Sequence, residues 1–159
     1  MNAPPARRGL LLTQTEPPPA MEAEFNAWYD LEHLPERLSI PGFRSARRWV
    51  ADRAPGEGKY FATYELDSLA VLTSAPYLAR FRNQTPWSRR CLGKAVVFKR
   101  WACEQVTPGT ADPHPGALAI FIGQVRGALQ VRRFRAENDE IILSELATAV
   151  PGAYRRYAS

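Results

Sequence analysis

The segment Phe25-Asn26-Ala27-Trp28-Tyr29-Asp30-Leu31-Glu32-His33-Leu34-Pro35-Glu36-Arg37 concentrates the residue types that move protons. Histidine is the usual proton-transfer side chain near neutral pH, and a phenol four residues back can donate to a substrate oxygen. At about 100° per residue, Met21, Phe25 and Trp28 form one apolar stripe, with Asn26, Tyr29 and His33 along its flank. A polar edge beside a buried stripe is where a cavity between helix and sheet would open. His33 falls in the last turn before Pro35, where the helix C-terminus favours imidazolium, and Asp30, Glu32 or Glu36 can do the same. The expected catalytic set is His33 as acid or base, Tyr29 as donor and Asp30 as orienting carboxylate. Asn26 and Trp28 join as substrate-binding candidates. The plainer alternative is a histidine that caps a helix end and a tyrosine that packs in the core.

Other candidates lie further along. In Phe43–Val50, strand alternation puts Phe43, Ser45, Arg47 and Trp49 on one face and Arg44, Ala46 and Arg48 on the other. An arginine facing a cavity, here Arg47, can bind a carboxylate or enolate oxygen; a salt bridge at the rim is the competing role. Trp49, Tyr64 and Trp87, with Trp101, can line an apolar pocket, though aromatic residues also serve simply as core. His114 stands among prolines and is expected in solvent. Two histidines and two cysteines (Cys91 and Cys103) at these separations give no metal-ligand spacing, and no glycine-rich phosphate loop or GxSxG motif occurs. No metal and no organic cofactor is expected, and the thiols read as reduced and structural.

The elements that would hold these residues follow from patterning and punctuation. Arg7–Glu16 is a short apolar run suited to a buried strand, stopped by Pro17-Pro18-Pro19. Met21–Leu34 reads as a helix that Pro35 ends or kinks, with one more turn over Glu36-Arg37-Leu38. Pro41-Gly42 is a turn, Phe43–Val50 and Lys59–Leu66 are strands around the loop Ala54–Gly58, and Leu69 to about Asn83 is a helix interrupted by Pro76. Lys94–Val106 is a last strand. The order β-α-β-β-α-β is that of a ferredoxin-like unit over residues 7–107. Such a sheet leaves one apolar face uncovered, and dimerisation is the usual remedy, so a homodimer is expected. Residues 108–116 are a linker. Residues 117–159 read as a truncated β-α-β second repeat, because Val150-Pro151-Gly152 followed by Arg155-Arg156 echoes Ile40-Pro41-Gly42 followed by Arg47-Arg48. In that echo Phe134 and Asp139 fall near Phe25 and Asp30, while Ile142-Leu143 stands where His33 would be. A residue lost from the second copy is one that folding does not require.

Charge and composition narrow the partners. The net charge is +5, with five basic against seven acidic side chains in residues 21–58 and eight against three in 59–110. No zinc pattern, RNA-binding signature or basic tail accompanies the excess, which argues against nucleic acid. No apolar run approaches the roughly 20 residues of a membrane span, and only a short apolar run follows Arg7-Arg8, so neither membrane nor secretion is expected and the cytoplasm is the default.

The stretch FNAWYDLEHLPERLSIPGFRSARRW, with YFATYELDS and NQTPWSRR, resembles the dimeric α/β-barrel superfamily over residues 7–107. It is most similar there to EthD-like and uncharacterised bacterial members, whose helix carries a WYDxEHxPER-type stretch. The resemblance implies an α+β barrel enclosing an apolar pocket. It also implies a function among the superfamily's cofactor-free monooxygenases, cyclases, dehydratases, decarboxylases, isomerases and haem-degrading proteins. His33 matches the histidine of the EthD-like group, and Tyr29 and Asp30 match its surroundings. The resulting expectation is a lyase, isomerase or cyclase using His33 on a hydrophobic, aromatic or polyketide-like metabolite. The alternatives are a non-catalytic small-molecule binder and a cofactor-independent monooxygenase.

Overall fold

The computed structural model describes residues 6–108, 116–120, 128–137, 139–148 and 153–157. Strand β1 (Gly9–Glu16) is followed by a 3₁₀ turn (Pro19–Met21) and helix α1 (Glu22–Trp28). The helix widens into a π-turn (Tyr29–His33) and resumes as α2 (Leu34–Leu38). Pro35 therefore does not end the helix. It stands in the first turn of α2, where a missing N–H is tolerated, directly behind a turn whose hydrogen bonds already run to the fifth residue. After Ile40 the chain reverses at Gly42, whose φ is +98° and whose missing Cβ would lie 2.4 Å from Val71 Cγ2. Glycine is thus selected there both by backbone and by space.

Strands β2 (Phe43–Val50) and β3 (Tyr60–Leu66) pair antiparallel, with an irregularity between Phe43 and Ser45. The long helix expected from Leu69 is instead a 3₁₀ turn (Leu69–Thr73) and helix α3 (Ala75–Arg82), which Ser74 caps and which Pro76 helps to start. Helix α4 (Pro86–Lys94), absent from the expected elements, is capped by Thr85, whose Oγ1 accepts from the Ser88 N–H at 3.0 Å. Strand β4 (Val97–Gln105) then pairs along β1.

Beyond β4 the expected architecture is overturned. Strands β5 (Ala117–Ile120), β6 (Gln130–Arg135), β7 (Glu140–Leu146) and β8 (Tyr154–Arg156) complete one closed antiparallel barrel in the order β1-β3-β2-β8-β5-β7-β6-β4. The fold is this eight-stranded barrel with helices outside it, not a ferredoxin-like unit forming a dimeric α/β barrel with a truncated second repeat. The helix expected around Phe134 is a hairpin, β6 against β7. Its pattern has period two, since Arg132 and Phe134 are buried while Arg133 and Arg135 are exposed. Pro151-Gly152, on which the internal echo rests, lies outside the described residues, as do His114 and most of the linker.

The apolar sheet face that a second copy was expected to cover is covered within the chain. Leu10, Leu12, Trp49, Phe61 and Cys103 from the first four strands pack against Leu118, Phe134, Ile141, Leu143 and Tyr154 from the last four. Arg132 sits in the same interior, pairing at 2.6 Å with both Glu65 and Glu145. A second apolar layer lies outside the barrel, where Leu11, Ala62, Tyr64 and Leu66 meet Phe25, Trp28 and Tyr29. Both thiols are buried and unbonded to each other, and burial pushes Cys91 up to about 11 and Cys103 up to about 12, so neither is poised as a nucleophile. Among the described residues no helix is long and apolar enough to cross a membrane.

Candidate functional site

The candidate site lies in the outer layer, between helices and barrel wall, rather than inside the barrel. Alternation along β1 decides this: Leu10 and Leu12 enter the interior, while Leu11 and Thr13 face the helices and floor a cavity of about 170 Å³. Tyr64 of β3 joins that floor, and Tyr29, His33 and Arg37 form the helical wall. Tyr77, Gln84 and Leu92 close the far side, and Phe81, Phe98 and Arg100 stand at the mouth, both phenylalanines 50% exposed.

The walls hold more polar atoms than they pair. Thr13 Oγ1, His33 Nδ1, Arg37 Nη1 and Tyr64 Oη are buried and make no hydrogen bond. Glu36 Oε1 lies 3.5 Å from Arg37 Nη1, an ion pair too long for a good hydrogen bond. Buried polar groups are nearly always satisfied, so four unsatisfied ones on residues that line one cavity single it out as the candidate site.

His33 is held by aromatic rings. Its imidazole stacks on Trp28 at 4.4 Å and meets Tyr29 edge-on at 5.1 Å and Tyr64 at 6.3 Å. The expected imidazolium is not what this setting favours. Burial first, then the charges of Arg37 and Arg48, push His33 down to about 3, so it is neutral at pH 7, and a proton is held there only beside a new negative charge. The carboxylates expected to support a charge are turned elsewhere. Glu32 accepts from Trp28 Nε1 at 3.1 Å and Thr85 Oγ1 at 2.7 Å, Glu36 sits by Arg37, and Asp30 is half-buried outside the lining. Burial also pushes the Tyr64 phenol well above its ordinary value, with Tyr29 adding to the effect, so Tyr64 is a donor at neutral pH.

Of the residues singled out from sequence, His33, Tyr29 and Tyr64 line the cavity, and Trp28 is outside the lining, stacked on His33. Asn26 is turned away, its Oδ1 accepting from Arg48 Nη2 at 2.9 Å and its Nδ2 donating to Tyr60 Oη at 3.3 Å. Trp49 belongs to the barrel interior, where its Nε1 donates to Thr63 Oγ1 at 3.0 Å, and neither Arg47 nor Trp87 reaches the lining. The bulge after Phe43 shifts the alternation, so Arg48 and not Arg47 shares the helix side with Phe43. The guanidinium of Arg48 lies over Tyr29 at 4.1 Å, Tyr157 at 4.3 Å and Tyr60 at 4.9 Å. Of the lining residues that sequence reasoning missed, Arg37 and Thr13 matter most, since each carries a buried polar atom without a hydrogen bond. Arg37 was legible as the residue one helical turn beyond His33; Thr13 stands two residues from Leu11 on one strand face. Among the described residues no group of three histidine, cysteine, aspartate or glutamate side chains is placed to hold a metal ion.

No family model matches the chain, and no curated protein matches it. Among solved structures, a protein from Fusobacterium nucleatum subsp. nucleatum named as a "putative monooxygenase" is similar, with a TM-score of 0.55 and 9% identity over 88% of this chain and 75% of that one. At that identity the likeness concerns the fold alone.

Proposed function

We propose that this chain is a small-molecule enzyme of the cofactor-independent monooxygenase kind, working in the cavity beneath α1 and α2. The observation that carries the reading is that Thr13, His33, Arg37 and Tyr64, each with a buried polar atom that makes no hydrogen bond, all line that cavity. The motif resemblance to EthD-like proteins and the fold shared with the Fusobacterium protein support it. All the lining residues fall within 7–107, so the chemistry belongs to that part of the chain, and strands β5–β8 serve it by closing the barrel.

In this reading neutral His33 takes a proton from an activated CH₂ group of the substrate. The imidazolium and the substrate anion form side by side, so no isolated charge is left in the buried site, and the Tyr64 phenol donates to the developing negative oxygen. The carbanion adds dioxygen, His33 returns the proton to the peroxide, and loss of water leaves a carbonyl. One oxygen atom enters product, the other leaves as water, and the substrate supplies the electrons.

Oxygen-electrode measurements with a panel of monocyclic phenols and enols test this. Uptake matched by a product carrying ¹⁸O from ¹⁸O₂ supports it. Turnover that proceeds equally without dioxygen replaces it with the lyase or isomerase reading, which uses the same proton transfer, and ligand release unchanged with no product leaves a binding protein.

A further inference from the structure

Resting on that reading of the cavity, we infer that its ligand is a monocyclic aromatic carboxylate, with the carboxylate taken by Arg37. The lining contains two arginines, Arg37 and Arg100, and no aspartate or glutamate. Arg37 is 7% exposed, and its Nη1 makes no hydrogen bond although Glu36 stands 3.5 Å away. A buried guanidinium with an unused donor is a site for an oxyanion, because a planar fork matches a carboxylate better than it matches water. Arg100 is engaged differently: its Nη2 donates to Tyr77 Oη at 2.9 Å, which fixes a positive charge at the mouth and leaves Arg37 as the deep anchor.

Size and walls supply the rest of the ligand. About 170 Å³ is close to a cavity known to hold benzene, and well under the roughly 300 Å³ at which drug-sized pockets begin. A fused polyketide skeleton does not fit such a space, and one six-membered ring does. Tyr29, Tyr64, Tyr77 and the mouth phenylalanines Phe81 and Phe98 present ring faces and edges to it. Thr13 Oγ1 and Tyr64 Oη remain to hydrogen-bond a second oxygen of the same molecule.

The test is calorimetric titration of the full chain with benzoate and with benzamide, its neutral near-isostere. Benzoate should bind at least 10-fold more tightly than benzamide. Arg37→Met should abolish that preference, and Arg89→Met, which removes the same charge from an exposed face of α4, should leave it intact. Circular dichroism on each variant shows that it is folded. If Arg37→Met fails to fold, Arg37→Lys takes its place, since a point charge loses the bidentate geometry and should cut the preference several-fold. Equal binding of the two probes, no binding of either, or a preference that survives at Arg37, overturns the inference. None of these outcomes depends on dioxygen uptake, so the enzyme reading and the ligand assignment fail separately.

Discussion

His33 stacks on Trp28 five residues before it, ring centroids 4.4 Å apart and planes 25° apart. In an α-helix residues five apart are separated by about 140° and cannot touch in this way. The π-turn Tyr29–His33 removes the difference, because its wider winding returns to the same face after five residues. The same turn leaves Tyr29 and His33 against the barrel wall and carries the next helical turn, with Arg37, onto the cavity. Trp28 is fixed in turn by Glu32 and Ser88, so the imidazole rests on an indole that is itself anchored.

Acid should weaken the fold through His33 in a defined window. Its value in the folded chain, about 3, lies below its unfolded value near 6.5, so the unfolded state binds the extra proton. Stability from this group is complete above about pH 6.5 and is lost as pH falls toward 3, by at most about 1.4 kcal/mol per pH unit. Urea unfolding at pH 7, 5.5 and 4.5 should show this slope in the native chain and a shallower one in His33→Gln. Identical slopes would mean that His33 titrates normally.

The barrel closure should depend on Arg132. It pairs with two buried carboxylates, Glu65 from the first half of the barrel and Glu145 from the second. Arg132→Met leaves both uncompensated and should cost about 3–5 kcal/mol in chemical denaturation. Replacing all three by apolar residues of similar volume should recover most of that loss. A single replacement without effect would show that the interior is hydrated.

Gly42→Ala should destabilise by about 1–3 kcal/mol, since the turn holds φ at +98° and the new methyl meets Val71. Val71→Ala in the same chain should return the steric part and leave the backbone part. Thermal unfolding of the two variants separates these contributions.

Much of the first hundred residues is legible in the sequence. The strands over Gly9–Glu16, Phe43–Val50 and Tyr60–Leu66 follow from apolar runs between prolines and glycines, and the helix from the Phe25–Trp28 stripe. The helix through Pro35 is not, because a π-turn has no signature at 100° per residue. The second half misleads for a different reason. The Pro-Gly echo suggests a helix around Phe134, whereas β6 alternates with a charged residue, Arg132, turned into the barrel interior. His33 and Tyr29 both line the cavity, whereas strict alternation wrongly groups Phe43 with Arg47 and Trp49, since a single bulge reverses every later residue of the strand relative to Phe43.

The most direct test of the account is the dioxygen-dependent turnover of His33→Gln, measured against the native chain on the best substrate of the phenol and enol panel. The account predicts a loss of 10²–10⁴-fold, the usual worth of a positioned general base, in a variant whose circular dichroism is native. Turnover within a few-fold of the native rate would contradict it.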